Sequence, residues 1–359
     1  MSTPAEAGRD PEPLLLVRGL TKHFPLYQPW LLGLGRKEVG VVRAVEDVSF
    51  ALPRGRTLGL VGESGCGKTT TARLVLRAFK PTRGEILFNT GESLVRVDQL
   101  EGRALRALRR HIQLVFQDPF SSLSPRMPVG EIIAEPLKLF GYGSQAEVVE
   151  RVKALMGMVG LDVRYLRRYP HSFSGGQRQR IGIARALALN PKLLVCDEPV
   201  SALDVSIQAQ VLNLFKDLQA ELGLTYLFIS HNLAVVDYLA NEIAVMYAGR
   251  IVEMGPKRAI FERPSHPYTE ALLAAVLQPD PKLRGVARPI PVDGTGTPTQ
   301  VVGCSFAPRC PYAVPRCHEM EPDLRAVEPD HWARCHRIGE IPLTPLPRRV
   351  RAGAIGRAG

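Results

Sequence analysis

Residues 62–69 carry the pattern most directly tied to chemistry, because they match G-x-x-x-x-G-K-[ST] without a mismatch. An apolar run that predicts a buried strand precedes this loop, and a stretch that predicts a helix follows it, as the motif requires. The backbone N–H groups of such a loop curl around phosphates, and the helix N-terminus adds a favourable field. We therefore expect a nucleoside triphosphate with Mg²⁺ to bind here, where Lys68 reaches the β- and γ-phosphates and Thr69 ligates the metal. The residues expected to contact the nucleotide are Gly62, Glu63, Ser64, Gly65, Cys66, Gly67, Lys68, Thr69 and Thr70.

Two adjacent carboxylates, Asp197 and Glu198, follow an apolar run and could complete a site for phosphoanhydride hydrolysis. At the end of a strand, Asp197 is expected to hold Mg²⁺, and Glu198 to polarise the attacking water as general base. Such a pair can instead be a helix cap or a surface ion pair, but the phosphate loop upstream favours the catalytic interpretation. Gln117 and His231 each follow a predicted strand and could be aimed at the same γ-phosphate, with Gln117 also a candidate Mg²⁺ ligand. A lone histidine is more often structural.

The elements that must position these side chains alternate between strands and helices, which predicts an α/β fold with a largely parallel sheet. Ligands of such sheets lie at the carboxyl ends of the strands. The Pro- and Gly-rich stretch 25–40 predicts an inserted loop. A helix is predicted to begin at Arg178, Asp204 is the predicted N-cap of the next helix, and residues 243–254 predict a hairpin. We expect a loose N-terminus over 1–13, a nucleotide-binding core over 14–127 and 178–265, a helical insert over 128–177, a helix and linker over 266–298, a Cys-rich module over 299–345 and a disordered basic tail over 346–359.

Composition limits the classes of protein to which the chain can belong. Its 359 residues are 45% hydrophobic and 23% charged, and no apolar run is long enough to cross a bilayer. The first residues lack the basic and apolar parts of a signal peptide, so we expect a cytosolic location. The net charge of +11 suits a nucleotide, anionic lipid headgroups or nucleic acid alike, and equally a solvated basic surface.

Four of the six cysteines are crowded towards the C-terminus, which in a reducing compartment indicates metal binding more than disulfides. Zinc ribbons favour C-x-x-C pairs, which this region lacks. Four thiolates can hold a [4Fe–4S] cluster, although the spacing differs from that of ferredoxins. The cluster, zinc and unligated thiols all remain open, and nearby histidines could substitute as ligands. The four cysteines are Cys304, Cys310, Cys317 and Cys335, and the histidines are His318, His331 and His336.

The run Ser174-Gly-Gly-Gln177, followed by Arg178-Gln-Arg180, resembles the signature motif of ATP-binding cassette (ABC) proteins. Other motifs of that family stand in the same order, with Gln117 as the Q-loop, 201–204 as the D-loop and His231 as the switch histidine. The longer run 169–180 and His266-Pro-Tyr268 resemble the ATPase subunits of oligopeptide/dipeptide importers. The resemblance covers roughly residues 14–265.

This resemblance implies a P-loop NTPase fold of the ABC type: a RecA-like core with an antiparallel β subdomain and a helical insert, plus a small Cys-rich C-terminal extension. It also implies a head-to-tail dimer that traps ATP between the phosphate loop of one subunit and the signature of the other. Phe24 matches the aromatic residue that stacks on adenine in this family, although core packing would explain it nearly as well. The signature and D-loop residues expected at the nucleotide are Ser174, Gly175, Gly176, Gln177 and Asp204.

The function that the resemblance implies is the ATP-hydrolysing motor of an ABC importer, most directly for peptides. Its partners would be a second ATPase subunit, usually a different chain, two membrane permease subunits and an extracytoplasmic substrate-binding protein, with no nucleic acid. The chain would then act peripherally at the cytoplasmic face of the inner membrane. A Cys-bearing module in some relatives implies an iron–sulfur cluster. The alternatives are a soluble ABC ATPase acting on ribosomes or DNA, and a redox or iron–sulfur assembly protein. A single cassette without a long coiled coil disfavours the former, and an assembly ATPase would not need its own four-cysteine module.

Overall fold

The computed structural model describes residues 13–30, 35–275 and 302–345, which form two compact units. Of these residues, the first unit holds 13–51, 58–98, 231–275 and 302–345, and the second holds 52–57 and 99–230. The predicted linker and basic tail, 279–298 and 346–359, lie outside the described residues, as does nearly all of the predicted loose N-terminus.

An antiparallel sheet in the first unit has the strand order β2-β1-β4-β5. Strands β1 and β4 pair from Leu15 opposite Phe88 to Thr21 opposite Arg83, with an irregularity in the register after Arg18. The predicted loop over 25–40 is wrong, because long strands occupy both of its ends. Proline fixes φ at a value that an extended backbone can adopt, so pairing with a long neighbouring strand overrides the local turn signal. The strands are β1 (Leu15–Trp30), β2 (Gly35–Leu52), β4 (Arg83–Asn89) and β5 (Leu94–Arg96).

A second run of strands in the first unit has the order β11-β12-β10-β9-β3. Strand β3 (Thr57–Val61) runs parallel to β9 (Glu242–Tyr247), and β9 forms the predicted hairpin with β10 (Arg250–Pro256). Strand β12 pairs antiparallel with β10, so part of the predicted Cys-rich module extends this run of strands. Further elements of this unit are α1 (Lys68–Val75), α7 (Leu233–Leu239), α8 (Lys257–Glu262), α9 (Pro267–Ala274), α10 (Pro315–Glu319), β11 (Arg325–Glu328) and β12 (His331–Ala333).

The second unit contains three parallel strands in the order β8-β7-β6, with every residue of β7 and β8 buried. Helices α3 and α4 both pack against α5. The strands are β6 (Ile112–Val115), β7 (Leu193–Asp197) and β8 (Thr225–Ser230), and the helices are α2 (Gly102–Leu108), α3 (Val129–Leu139), α4 (Gln145–Met158), α5 (Gly175–Leu187) and α6 (Val205–Leu222).

Two helix starts in the second unit show how local sequence sets the positions of elements. Helix α6 begins after Asp204, the predicted N-cap residue, although the Asp204 side chain makes no capping hydrogen bond. Helix α5 begins at Gly175 rather than at the predicted Arg178. The reason is a capping box, in which the Ser174 side chain accepts from the backbone of Gln177 and the Gln177 side chain accepts from that of Ser174.

No helix in the part of the chain that the structure describes has the length and apolar character needed to cross a membrane.

Candidate functional site

The phosphate loop joins β3 to α1 in the first unit and is packed so tightly that its first and last glycines cannot be replaced. A Cβ atom at Gly62 would lie 2.1 Å from the carbonyl oxygen of Met246, and one at Gly67 would lie 2.3 Å from that of Ala44. Gly67 also has a φ of 109°, in the region that side chains rarely adopt. The glycines therefore permit close backbone packing beneath the loop, while Ser64 and Gly65 at its tip are exposed.

Lys68 is held inside the loop and is only 4% exposed. Its Nζ atom donates to the carbonyl oxygens of Gly62 and Glu63, at 2.7 and 2.8 Å. A buried ammonium group whose hydrogen bonds end on carbonyl oxygens of the loop can exchange them for stronger bonds to phosphate. This arrangement places the cation where the sequence predicts it to meet a triphosphate.

The other residues of the loop frame this ammonium group. The Cys66 thiol is buried beneath it, with Sγ 3.8 Å from Lys68 Nζ, and burial raises the pKa of this thiol. The carbonyl of Cys66 accepts from the N–H of Gly249, and the Thr71 hydroxyl donates to the carbonyl of Gly67. Thr69 and Thr70 are half-buried in the first turn of α1.

In the second unit, Gln117 and Glu198 come together. The Gln117 side-chain amide donates to Glu198 Oε2 at 3.3 Å, and Asp197, at 8% exposure, ends strand β7. Glu198 has a φ of 46°, which is uncommon for a residue with a side chain, and its N–H donates to the carbonyl of Ile229 on the neighbouring strand. Strained backbone of this kind is frequent at functional sites.

The signature residues lie in the same unit, at the N-terminus of α5. Ser174 is exposed, and Gly175 and Gly176 open the helix. A Cβ atom at Gly176 would lie 2.4 Å from Cγ2 of Ile207, so the second glycine lets α5 approach α6. The exposed serine hydroxyl and the helix N-terminus together form a site that is favourable for an anion.

His231, Phe24 and Asp204 are three further predicted site residues, and their surroundings differ. His231 is exposed and directly precedes Asn232, whose side chain accepts from the N–H of Ala234 and caps α7. Phe24 lies on β1, half-buried, with its ring edge-on to Phe79 at 5.5 Å. Asp204 is exposed before α6. Phe24 is thus accessible for stacking while it also packs locally, as both interpretations of the sequence require.

The four C-terminal cysteines line one cavity in the first unit, together with His266 and His336. All four are free thiols. Burial raises the pKa of Cys304, Cys335 and Cys310, the last to about 11, and the neighbouring thiols act in the same direction. The backbone N–H of Arg337 donates to Cys335 Sγ at 3.3 Å. Over the described residues, no three His, Cys, Asp or Glu side chains are grouped closely enough to hold a single metal ion.

Two of the three histidines noted as substitute ligands do not line this cavity. His318 is exposed on α10, and His331 is buried against Glu253, with 2.8 Å between Nε2 and Oε1. His336 does line it, and its Nε2 atom is 2.7 Å from the carbonyl oxygen of Met320.

Two residues that contact the phosphate loop, Tyr268 and Arg309, were not predicted from the sequence. Both come from the C-terminal part of the chain and bind Glu63. The motif His266-Pro-Tyr268 drew attention to Tyr268 without indicating its partner, whereas no pattern around Arg309 pointed to the loop.

Comparison with known proteins connects these features to described families. A family model for the ABC transporter matches residues 45–201, and a model for the oligopeptide/dipeptide transporter C-terminal region matches residues 252–317. A putative peptide import ATP-binding protein of Brucella ovis is 48% identical over 325 residues, 90% of this chain and 98% of that protein. An oligopeptide transport ATP-binding protein of Bacillus subtilis is 47% identical over 90% of this chain and 97% of its own length.

Solved structures show the same architecture. The ATP-binding cassette MJ0796, described as a dimer in a post-hydrolysis state with ADP and Pi, aligns with a TM-score of 0.59 and 27% identity. That alignment covers 68% of this chain and 99% of the other. The protein cbiO1 of Clostridium perfringens, part of an ABC transporter complex, aligns with a TM-score of 0.58 and 25% identity, over 70% of this chain and 91% of its own.

Proposed function

This chain belongs to the oligopeptide/dipeptide importer family of ABC transporter ATP-binding subunits, and from that premise we propose what its residues do. It has the ABC cassette fold and is an ATPase that serves an importer. We propose peptides as the cargo, because the matched C-terminal region and the relatives named above concern peptide or oligopeptide transport. The single observation that carries the proposed role in ATP binding and hydrolysis is the buried Lys68 ammonium. It lies inside a phosphate loop whose glycines are required by close packing.

In the proposed mechanism the loop binds the phosphates, and Glu198 acts on the attacking water. Lys68 would exchange its bonds to loop carbonyls for bonds to β- and γ-phosphate oxygens, and Thr69 and Asp197 would hold Mg²⁺, with Gln117 as a further ligand. Glu198 would take the proton of the attacking water. The contact between Gln117 and Glu198 keeps the base within reach of the residue expected to report on the membrane partner.

We propose from the signature that this chain acts in a dimer whose subunits complete each other's nucleotide sites. Ser174 is exposed and Gly175 is half-buried at the start of α5, so this end of the helix could meet a γ-phosphate that is held by another subunit. His231 and Asp204 are exposed residues that we place at the same interface. Binding of ATP would close the dimer, and hydrolysis would reopen it.

We further propose that this movement is passed to two permease subunits at the cytoplasmic face of the inner membrane, with an extracytoplasmic binding protein delivering the cargo. The helical region 128–177 and the loop after Gln117 are the parts we assign to that contact. The second ATPase would be a different chain.

Purification of tagged full-length chain from detergent-solubilised membranes of its source organism tests the function. We expect two integral-membrane proteins and a second ATPase to accompany it, with ATP hydrolysis in the complex. The Lys68→Met variant should still assemble but not hydrolyse. Recovery of ribosomal proteins or DNA in place of membrane subunits would contradict the importer and support the alternative.

Four free thiols line the C-terminal cavity, and a backbone N–H donates to one of their sulfurs. Four cysteine thiolates are a ligand set for a [4Fe–4S] cluster. Over the described residues, no three His, Cys, Asp or Glu side chains are grouped closely enough to hold a single metal ion, which disfavours zinc with its sulfurs about 2.3 Å from one centre. We propose that Cys304, Cys310, Cys317 and Cys335 bind such a cluster as a structural link.

Metal analysis of the full-length chain, purified without oxygen, checks this assignment. We expect about four iron and four sulfide per chain and a brown colour, since cysteine thiolates hold clusters of this kind. Cys310→Ser should lose most of the iron. The control is Cys196→Ala, which removes a buried thiol of β7 that lies outside the cavity. Stoichiometric zinc in a colourless sample would contradict the cluster and indicate a zinc site. Metal-free protein would contradict both metal sites and indicate unligated thiols.

A further inference from the structure

Glu63, the second residue of the phosphate loop, is bound at two points by the C-terminal part of the chain. Its carboxylate accepts a bidentate pair of bonds from Arg309, with Nη1–Oε2 at 2.8 Å and Nη2–Oε1 at 2.9 Å. Its backbone N–H donates to the Tyr268 hydroxyl at 2.8 Å. Both side-chain and backbone positions of this loop residue are therefore fixed from outside the loop.

The Arg309–Glu63 pair is well sheltered from water. The side chains of Arg309 and Glu63 are 16% and 29% exposed, and the guanidinium lies 5.7 Å from the ring centroids of both Tyr247 and Phe306. Bidentate arginine–carboxylate pairs are strong and geometrically specific. The Glu63 carboxylate, through its hydrogen bonds, holds the pKa of Arg309 above its usual range, so the guanidinium keeps its charge.

Arg309 belongs to a short segment with a cavity thiol at each end. A single turn of helix, Ala307–Arg309, follows Cys304 and directly precedes Cys310. The N–H of Cys304 donates to the carbonyl of Cys317 at 2.7 Å, and that of Cys310 to the carbonyl of Ala307 at 3.2 Å. Cys304 and Cys310 also pack against the apolar cluster that contains Tyr268 and Phe306. Whatever fixes these thiols consequently fixes the guanidinium that binds Glu63.

We propose that Arg309 and Tyr268 are positioning residues that hold the phosphate loop through Glu63, and that the cavity thiols influence nucleotide affinity through them. The proposal rests on the nucleotide site proposed above. It follows because a carboxylate in a loop that cradles a triphosphate repels the ligand unless it is neutralised and held aside. Arg309 does both, and the Tyr268 hydroxyl keeps the Glu63 peptide from turning.

The test is a double-mutant cycle read out as the Kd of a fluorescent ATP analogue with Mg²⁺, on the full-length chain. Arg309→Met should weaken binding about tenfold, as expected for loss of a charge-assisted pair. Glu63→Gln in the same chain should restore affinity to within about threefold of the wild type, because the amide no longer repels phosphate. Tyr268→Phe should weaken binding by a smaller factor while the packing of its ring is kept.

The matched control is Arg316→Met, on the exposed side of α10, which should bind nucleotide like the wild type. Unchanged affinity in Arg309→Met would overturn the inference, and so would weakening that Glu63→Gln fails to relieve, since that result indicates a general loss of structure. If Arg309→Met does not fold, Arg309→Lys keeps the charge but loses the bidentate geometry and should show a smaller loss. A wild-type chain that binds no ATP analogue would instead refute the nucleotide site itself.

A second experiment tests whether the cavity thiols influence nucleotide affinity. Cys310→Ser should weaken binding of the analogue, and combining it with Arg309→Met should add little, because both changes act on one segment. An unchanged Kd in Cys310→Ser, or full additivity of the two effects, would show that the cavity thiols do not influence nucleotide binding through Arg309.

Discussion

Replacement of Glu198 by glutamine is expected to abolish turnover while leaving ATP binding intact. The amide keeps the shape of the side chain and its contact with Gln117 but cannot accept the proton of the attacking water. Loss of a general base typically costs a factor of about 10²–10⁴ in rate. Single-turnover hydrolysis and analogue binding, measured on the same sample, separate the two effects. ATP-bound dimers should accumulate in gel filtration.

The control for this variant is Glu221→Gln, which makes the same chemical change at an exposed position in the last turn of α6. It should hydrolyse ATP at the wild-type rate. Hydrolysis by Glu198→Gln within a few-fold of the wild type would remove Glu198 from the role of base.

Replacement of Lys68 by methionine is expected to weaken nucleotide binding strongly. The variant keeps most of the buried volume but loses the only side-chain cation of the loop and both bonds to its carbonyls. Loss of charge-assisted bonds to two phosphates should make the Kd weaker by about 10²-fold. Equilibrium titration with the fluorescent analogue measures the change, and thermal melting without nucleotide shows whether the fold persists.

Lys153→Met offers a comparison at a surface position on α4, where the lysine pairs with Glu150 and is 42% exposed. Such exposed pairs contribute little, so its binding and melting should match those of the wild type. A titration curve of Lys68→Met that overlays that of Lys153→Met would be incompatible with the proposed phosphate contact.

Features that depend on neighbouring residues could be predicted from sequence. The phosphate loop, the start of α6 after Asp204 and the β9–β10 hairpin each follow from a few adjacent residues, and the structure confirms their positions. The sequence also predicts that Gln117 and Glu198 each follow a strand, whereas the structure shows that the two strands are neighbours, which brings these side chains together. Parallel strands present their carboxyl ends at one edge.

Features that depend on distant pairing could not be predicted. Pro25 and Pro29 indicated a loop, but a strand of 16 residues contains both. The bond between Arg309 and Glu63 joins positions 246 residues apart, and the local sequence around each residue does not indicate the other as its partner. Likewise, the short run His331–Ala333 becomes a strand because β10 offers it an edge. Which residues and strands pair depends on the folded core, and local sequence patterns do not determine it.

The pairing of β12 with β10 bears on how the protein can be handled. Glu253 on β10 is completely buried, and its carboxylate accepts from the N–H groups of Ser265 and His266 and contacts the His331 imidazole that β12 carries. Shortening the polypeptide to the cassette alone would remove that imidazole from a completely buried carboxyl group and expose a row of unsatisfied backbone groups. Exposed edges of this kind invite self-association. Expression vectors for crystallisation should accordingly retain the chain through residue 345.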